Sequence, residues 1–134
     1  MKASYLVDTD WAISHLNGHE PTRRRLEALV ATGLGLSTIS LAEVYEGIYY
    51  SKDPSGNQKS LVEFLQDVTL IGVDEETARL FGKERGRLRA ERKRVADFDL
   101  MIGVTARQHQ LTLLTNNRRH FENIEGLKIE SLTE

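Results

Sequence analysis

The sequence predicts an α/β fold with a mostly parallel, doubly wound central sheet. Short apolar runs typical of buried strands alternate with longer segments whose apolar residues recur at helical spacing. This alternation favours parallel pairing, because a crossover between two parallel strands has room for a helix. A length of 134 residues with 40% hydrophobic content is typical of one domain with one core, so residues 1–134 are expected to form a single domain.

Five apolar runs are predicted as the strands of this sheet. They are bounded by residues that favour turns or helix starts, and the last run is the shortest and weakest. In chain order they cover residues 5–7, 34–39, 70–73, 111–115 and 127–129.

The segments between these runs predict helices. The first two are expected to end at Gly18 and Gly33, because glycine accepts the left-handed conformation that closes a helix. The next two are expected to begin at Ser40 and Ser60, each followed three residues later by a glutamate in capping-box spacing. Residues 53–57, between these helices, are rich in turn-forming residues and predict a loop.

Two further helices precede the fourth strand. Asp74 is predicted to cap a long helix, and residues 96–99 are predicted to start the helix that leads into the fourth strand. The spacing of Tyr45, Ile48, Tyr49 and Tyr50 places this group mostly in the core, and any part left exposed is a candidate surface for a protein partner.

Three acids, Asp8, Glu43 and Asp99, stand where an apolar stretch gives way to a helix start, and Asn117 follows the fourth strand. The carboxyl ends of parallel strands meet at one edge of a sheet, so these side chains are expected to converge there. Clustered carboxylates repel one another and need a cation, and oxygen ligands suit Mg²⁺ or Mn²⁺. The pattern therefore predicts a divalent-metal site acting on phosphates.

A simpler interpretation of each acid is helix capping. Asp8, Asp97 and Asp99 are all placed to cap a helix or to favour its N-terminal dipole. Glu43 is placed as the return partner of a capping box that begins at Ser40.

Composition limits the other kinds of site. The chain has no cysteine, so disulfides and cysteine-ligated zinc sites are impossible, and its four histidines lack metal-ligand spacing. No run is long enough to cross a membrane and no secretory signal stands at the N-terminus, so we expect a cytoplasmic protein without a membrane partner.

The net charge of −2 argues mildly against a nucleic-acid binder, but a local excess of basic residues softens that objection. Residues 83–94 carry seven basic side chains and two acidic ones. At helical spacing Arg85, Arg89 and either Arg92 or Lys93 share a face, which is a candidate track for an RNA backbone. Salt bridges to Glu84 and Glu91 on a solvated helix are the alternative.

Four segments together resemble a known family. They are Leu6-Val7-Asp8-Thr9-Asp10 and the stretches over residues 37–47, 97–106 and 111–121. In this order, and over nearly the whole chain, they are similar to the motifs of the PIN domain family, in its VapC-type toxin branch.

The resemblance implies a three-layer α/β/α sandwich and a Mg²⁺- or Mn²⁺-dependent endoribonuclease. It also implies an RNA substrate, a homodimer and a cognate VapB-like antitoxin, for which any exposed part of the group from Tyr45 to Tyr50 is a candidate surface. Asp8, Glu43 and Asp99 are then the catalytic, metal-binding acids, with Asp97 contributing through water.

The resemblance also implies polar support for the acids. Thr9 and Thr115 are then supporting side chains near the site, with ordinary turn hydrogen bonding as the alternative. Many members of the family have an aspartate where this chain has Asn117, so the acid set is one charge short for a second tightly bound ion.

Three other functions fit parts of the pattern. An apolar strand followed by Asp-x-Asp also opens haloacid-dehalogenase-like phosphatases, in which Asp8 would be the nucleophile. A phospho-acceptor receiver domain fits poorly, because Asp74 and Lys128 do not stand where that fold needs its acceptor and its lysine. The third alternative is a catalytically inactive PIN-type module that binds RNA or protein.

Overall fold

The computed structural model describes residues 3–132, so residues 1–2 and 133–134 of the predicted domain lie outside the description. Its five strands form one all-parallel sheet in the order β3-β2-β1-β4-β5. The strands are β1 (Tyr5–Val7), β2 (Leu34–Ser37), β3 (Val68–Ile71), β4 (Thr112–Leu114) and β5 (Ile129–Glu130). This topology confirms the predicted α/β class and its parallel sheet.

Seven helices connect the strands among the described residues. They are α1 (Thr9–Leu16), α2 (Glu20–Leu29), α3 (Thr38–Tyr49), α4 (Pro54–Leu65), α5 (Glu75–Ala90), α6 (Asp97–Gln108) and α7 (Arg118–Phe121). None of the helices within residues 3–132 is both long and apolar enough to cross a bilayer.

The sheet separates two buried cores, as a three-layer sandwich requires. Successive strand residues point to opposite faces, so Leu6 and Leu113 enter one core while Val7 and Leu114 enter the other. Apolar residues of α5, α6 and α7 fill the first core, and those of α1 to α4 fill the second. The helices therefore cover both faces, and the carboxyl ends of the central strands remain open at one edge.

The predicted start of α3 is wrong. β2 ends at Ser37, two residues earlier than predicted, and the Ser37 hydroxyl accepts a hydrogen bond from the Ile39 amide at 3.0 Å. Ser40 is buried inside α3 and makes no capping box. A serine directly after the buried strand satisfies the first free amides sooner than Ser40 could.

The predicted loop over residues 53–57 is also wrong, because α4 begins at Pro54. Asp53 caps this helix by accepting from the Gly56 amide at 3.1 Å, and proline is well tolerated in a first turn. Ser60 therefore lies within α4, and Val68 begins β3 two residues before the predicted strand. Asp53 and Pro54, which favour turns, form the start of a helix here rather than a loop.

The prediction for the start of α5 is confirmed. Asp74 caps this helix, in a capping box with Thr77. Of the tyrosine group predicted to lie mostly in the core, Ile48 is buried and Tyr45 is partly buried, but Tyr49 and Tyr50 are 60% and 88% exposed, so the prediction is wrong for these two. Helix α7, which follows Asn117, was not predicted.

Candidate active site

An open cleft of about 570 Å³ lies at the carboxyl edge of the sheet, where the sequence predicted the acids to converge. Its walls come from the end of β1, from α3 and from the starts of α6 and α7. The residues lining it are Asp8, Thr9, Asp10, Glu43, Ala96, Asp97, Phe98, Asp99, Asn117 and His120.

Asp8 is the most deeply placed acid, only 4% exposed directly after β1. The buried Thr115 hydroxyl donates to its Oδ2 at 2.7 Å. Burial, and then the charge of Asp10, raise the pKa of Asp8 to about 7. Thr115 is thus in contact with a predicted site acid, rather than making only turn hydrogen bonds.

Glu43 enters the cleft from the second turn of α3. The Thr9 hydroxyl donates to its Oε1 at 2.6 Å, which joins the start of α1 to α3. Because α3 begins at Thr38, Glu43 is not part of a capping box. The Thr9 contact holds the carboxylate toward the cleft.

Asp99 lies in the first turn of α6 and is partly buried. Burial raises its pKa; His120, whose Nδ1 is 3.4 Å from Asp99 Oδ2, opposes this shift, while Glu43 and Asp10 add to it. The influence of Glu43 and Asp10 on Asp99 shows that the predicted acids share one electrostatic environment.

The structure does not support helix capping as the role of these acids. Helix α1 has no side-chain cap although Asp8 precedes it, and α6 follows Ala96, again without a side-chain cap. The cap of α3 is Ser37. The acids are therefore available to the cleft.

The secondary residues differ in their positions. Asp97 is on the rim, with 82% of its side chain exposed, and it accepts from Arg85 Nη2 at 2.7 Å. Asn117 precedes α7 and lines the cleft, and its backbone amide donates to the Thr115 hydroxyl at 3.0 Å.

Asp10, Phe98 and His120 are cleft residues that the sequence interpretation did not assign to the site. Asp10 Oδ2 accepts from the Asn116 amide at 3.1 Å, while its buried Oδ1 has no hydrogen-bond partner. Asp10 was visible in the Asp-Thr-Asp sequence, but helix capping explained it there. The position of His120 in the cleft could not be predicted, because the short helix α7 that carries it was not predicted.

The carboxylates fit a hard divalent cation by chemistry, since they offer oxygen donors at a self-repelling edge. The buried Oδ1 of Asp10 has no hydrogen-bond partner among the residues that the structure describes, which leaves an oxygen donor free for a cation. Within residues 3–132 no three acidic, histidine or cysteine side chains are close enough to enclose an ion as they stand.

The basic residues predicted to form a track along one helix face do not all lie on that face. Arg85 is held by Asp97 and lies over the Phe81 ring, 5.5 Å from its centroid. Arg89 is exposed on α5, but the helix ends at Ala90 and Arg92 takes a left-handed conformation with φ of 57°. The prediction that Arg92 shares the helix face is wrong.

Comparison with known proteins gives consistent matches along the chain. The family model for the PIN domain matches residues 5–127. Ribonuclease VapC2 of Haemophilus influenzae is 30% identical over 132 residues, covering 95% of this chain and 96% of the relative. The tRNA(fMet)-specific endonuclease VapC of Shigella flexneri is 28% identical over 126 residues, covering 94% and 96%.

A solved structure agrees with the fold. A chain in the crystal structure of VapBC2 from Rickettsia felis, bound to a DNA fragment from its promoter, superposes with a TM-score of 0.89 at 28% identity. The superposition covers 96% of this chain and 98% of that one. From the family match, the full-length similarity and the shared fold, it follows that the chain belongs to the PIN domain family, among its VapC members.

Proposed function

We propose that this protein is a metal-dependent endoribonuclease that hydrolyses RNA phosphodiester bonds and acts as the toxin of a toxin–antitoxin pair. The observation that carries the proposal is the convergence of Asp8, Glu43 and Asp99 in one open cleft. The ribonuclease names of its VapC relatives support the same activity.

Mg²⁺ or Mn²⁺ is the proposed cofactor, held by Asp8, Glu43 and Asp99 with Asp10 beside them. When bound, the cation supplies positive charge that offsets the negative charge developing on the phosphate oxygens. The amide of Asn117 adds an oxygen donor without adding charge, which favours one ion over two.

The neighbouring residues orient these acids. The Thr115 hydroxyl donates to Oδ2 of Asp8 and the Thr9 hydroxyl donates to Oε1 of Glu43, so each carboxylate is held in place by a hydroxyl. A carboxylate must be ionised to bind a cation, and because the pKa of Asp8 is raised to about 7, its ionised form becomes more abundant above that pH. Asp97 contributes from the rim, through water.

The test of this proposal is cleavage of RNA by the purified chain with Mg²⁺ or Mn²⁺. Initiator tRNA is the first substrate to try, since one relative is named for it. We expect Asp8→Asn and Asp99→Asn to lower the rate at least 100-fold while circular dichroism shows a folded protein, because each removes a charge that holds the cation.

Asp67→Asn is the matched control, an equal change at an exposed acid outside the cleft. Full activity in both cleft variants would overturn the site. Equal loss of activity in Asp67→Asn would show that the loss is not specific to the cleft, and would also reject the site.

A VapB-like antitoxin is the proposed protein partner, as the VapBC structures of its relatives suggest. Its candidate surface is an apolar cleft of about 180 Å³ between α1, α3 and α4, lined by Ile13, Leu16, Val44 and Ile48 among others. The exposed Tyr49 and Tyr50 follow Ile48 at the end of α3.

Substitution in this cleft tests the partner surface. Ile13→Glu should weaken binding of a cognate VapB-like antitoxin at least tenfold by calorimetry, because it puts a charge into an apolar contact. RNA cleavage should persist. The control, Val62→Glu, changes an exposed apolar residue of α4 that does not line the cleft, and equal losses in both variants would reject this surface.

A further inference from the structure

Phe98 is an aromatic residue whose side chain is exposed in the lining of the acidic cleft. It is the second residue of α6, 54% exposed, and its side chain forms part of the acidic cleft wall. An aromatic ring held open at such a position offers a flat apolar face to solvent. The bases of single-stranded RNA stack on faces of this kind.

A basic pocket of about 600 Å³ adjoins the acidic cleft and shares Ala96 and Asp97 with it. Its cationic lining consists of Arg85, Arg89, Lys93 and Arg94. Two of these charges are already used, since Arg85 pairs with Asp97 and Lys93 pairs with Glu91 at 3.2 Å.

Arg89 and Arg94 are the available charges of this pocket. Both are exposed, and no carboxylate among residues 3–132 lies within ion-pairing distance of either. Unpaired guanidinium groups in an open pocket suit phosphate oxygens, which they can bind through two donors.

The acidic cleft, the exposed ring and the basic pocket therefore lie side by side. We propose that a single-stranded segment of RNA runs from the acidic cleft across Phe98 into the basic pocket, with one base stacked on the ring and backbone phosphates bound by Arg89 and Arg94. The inference rests on the proposed ribonuclease function and names its binding surface. A continuous duplex does not fit, because its bases are already stacked on each other.

The stacking is tested with the full chain and a mixed-sequence 12-nucleotide RNA carrying 2-aminopurine, in EDTA so that the RNA stays intact. Phe98→Ala should weaken binding roughly tenfold or more in fluorescence anisotropy, because one base loses its stacking partner. It should also abolish the 2-aminopurine quenching seen with the unchanged chain. Phe98→Trp should restore both signals.

Tyr50→Ala is the matched control for this loss, since Tyr50 is an exposed aromatic residue on the other side of the sheet. Thermal melting of Phe98→Ala should match that of the unchanged chain, because the ring is mostly in solvent. Equal binding by Phe98→Ala and the unchanged chain would overturn the inference.

The phosphate contacts are tested through salt dependence. Replacing Arg89 and Arg94 together by Gln should reduce the slope of log K against log salt by about 1.4, because each lost contact on a single strand accounts for about 0.7. Arg24→Gln, an exposed arginine on α2, should leave the slope unchanged. Binding of a 12-base-pair RNA duplex should be weakened much less by the double Arg89 and Arg94 substitution than binding of the single strand.

The outcomes separate this inference from the function on which it rests. If the unchanged chain cleaves RNA but the Phe98 and arginine variants bind it normally, only the inference fails. If the unchanged chain neither cleaves nor binds RNA, both fail. If Phe98→Ala loses the antitoxin while keeping RNA, the surface is a protein interface and the inference is wrong.

Discussion

At the scale of single residues, Asp8 shows how the fold prepares an acid for a cation. A carboxyl group that is 4% exposed beside another acid resists ionisation, and one hydroxyl from Thr115 only partly offsets this. The raised pKa of Asp8, about 7, reflects the free energy needed to place a negative charge at this buried position. A cation would repay that cost by stabilising the ionised form.

This environment predicts how the stability of the metal-free protein depends on pH. An acid whose pKa is higher in the folded protein than in the unfolded chain keeps its proton longer when folded. Asp8 should therefore lower the free energy of unfolding as pH rises from about 4 to about 7, by up to about 4 kcal/mol. Glu84 and His15, whose pKa values are lowered, act in the opposite direction over parts of this range, so the effect of Asp8 is read from the difference between the unchanged chain and Asp8→Asn. Asp99 shifts in the same direction and adds to the effect.

Urea unfolding in EDTA between pH 5 and pH 8 measures this dependence. Asp8→Asn should flatten the curve and make the protein more stable than the unchanged chain at pH 8, because the amide carries no charge. Asp67→Asn, at an exposed acid, should leave the curve unchanged. A curve for Asp8→Asn that falls as steeply as that of the unchanged chain would contradict the assignment.

At the scale of elements, a buried glutamate joins α5 to its neighbours. Glu84 accepts from Arg87 Nε and Nη2 at 3.0 and 2.6 Å and from the Glu125 amide at 2.8 Å. Its Oε1 is also 3.6 Å from Nη1 of Arg107 on α6. Burial alone would raise the pKa of Glu84, but these donors and charges lower it.

Removing this carboxylate should be costly. Glu84→Ala leaves the Glu125 amide without its acceptor and removes the buried partner of Arg87 and Arg107, and we expect a loss of about 3 kcal/mol in the free energy of unfolding. Urea denaturation at pH 7 measures it. Glu91→Ala is the control: Glu91 pairs with the same Arg87 but has 45% of its side chain exposed, so its removal should cost less than about 1 kcal/mol. Equal losses would show that burial does not set the effect.

The predictions for secondary-structure elements were correct for their order and wrong for some of their boundaries. The alternation of strands and helices, and the cap at Asp74, were predictable because they rest on local periodicity and spacing. The starts of α3 and α4 were not, because several residues in each segment could cap a helix. The choice of Ser37 over Ser40 depends on where the buried strand ends. That end is fixed by pairing with neighbouring strands, which a local pattern does not contain.

At the scale of the whole molecule, the net charge of −2 conceals a separation of charge. The carboxylates gather at the carboxyl edge of the sheet, while unpaired arginines line the adjoining pocket. A field of this kind acts on a polyanion locally, so the overall charge says little about RNA binding.

The sequence by itself determined the fold class, the strand alternation and the three acids expected to converge, because parallel strands place their carboxyl ends together. Only the tertiary structure decided which other side chains share the cleft. Asp10, Phe98 and His120 enter it, and Arg92 turns away from the predicted helix face. Their positions depend on where helices begin and end and on contacts between segments distant in the chain. Such contacts arise from packing over the sheet, not from the spacing of neighbours.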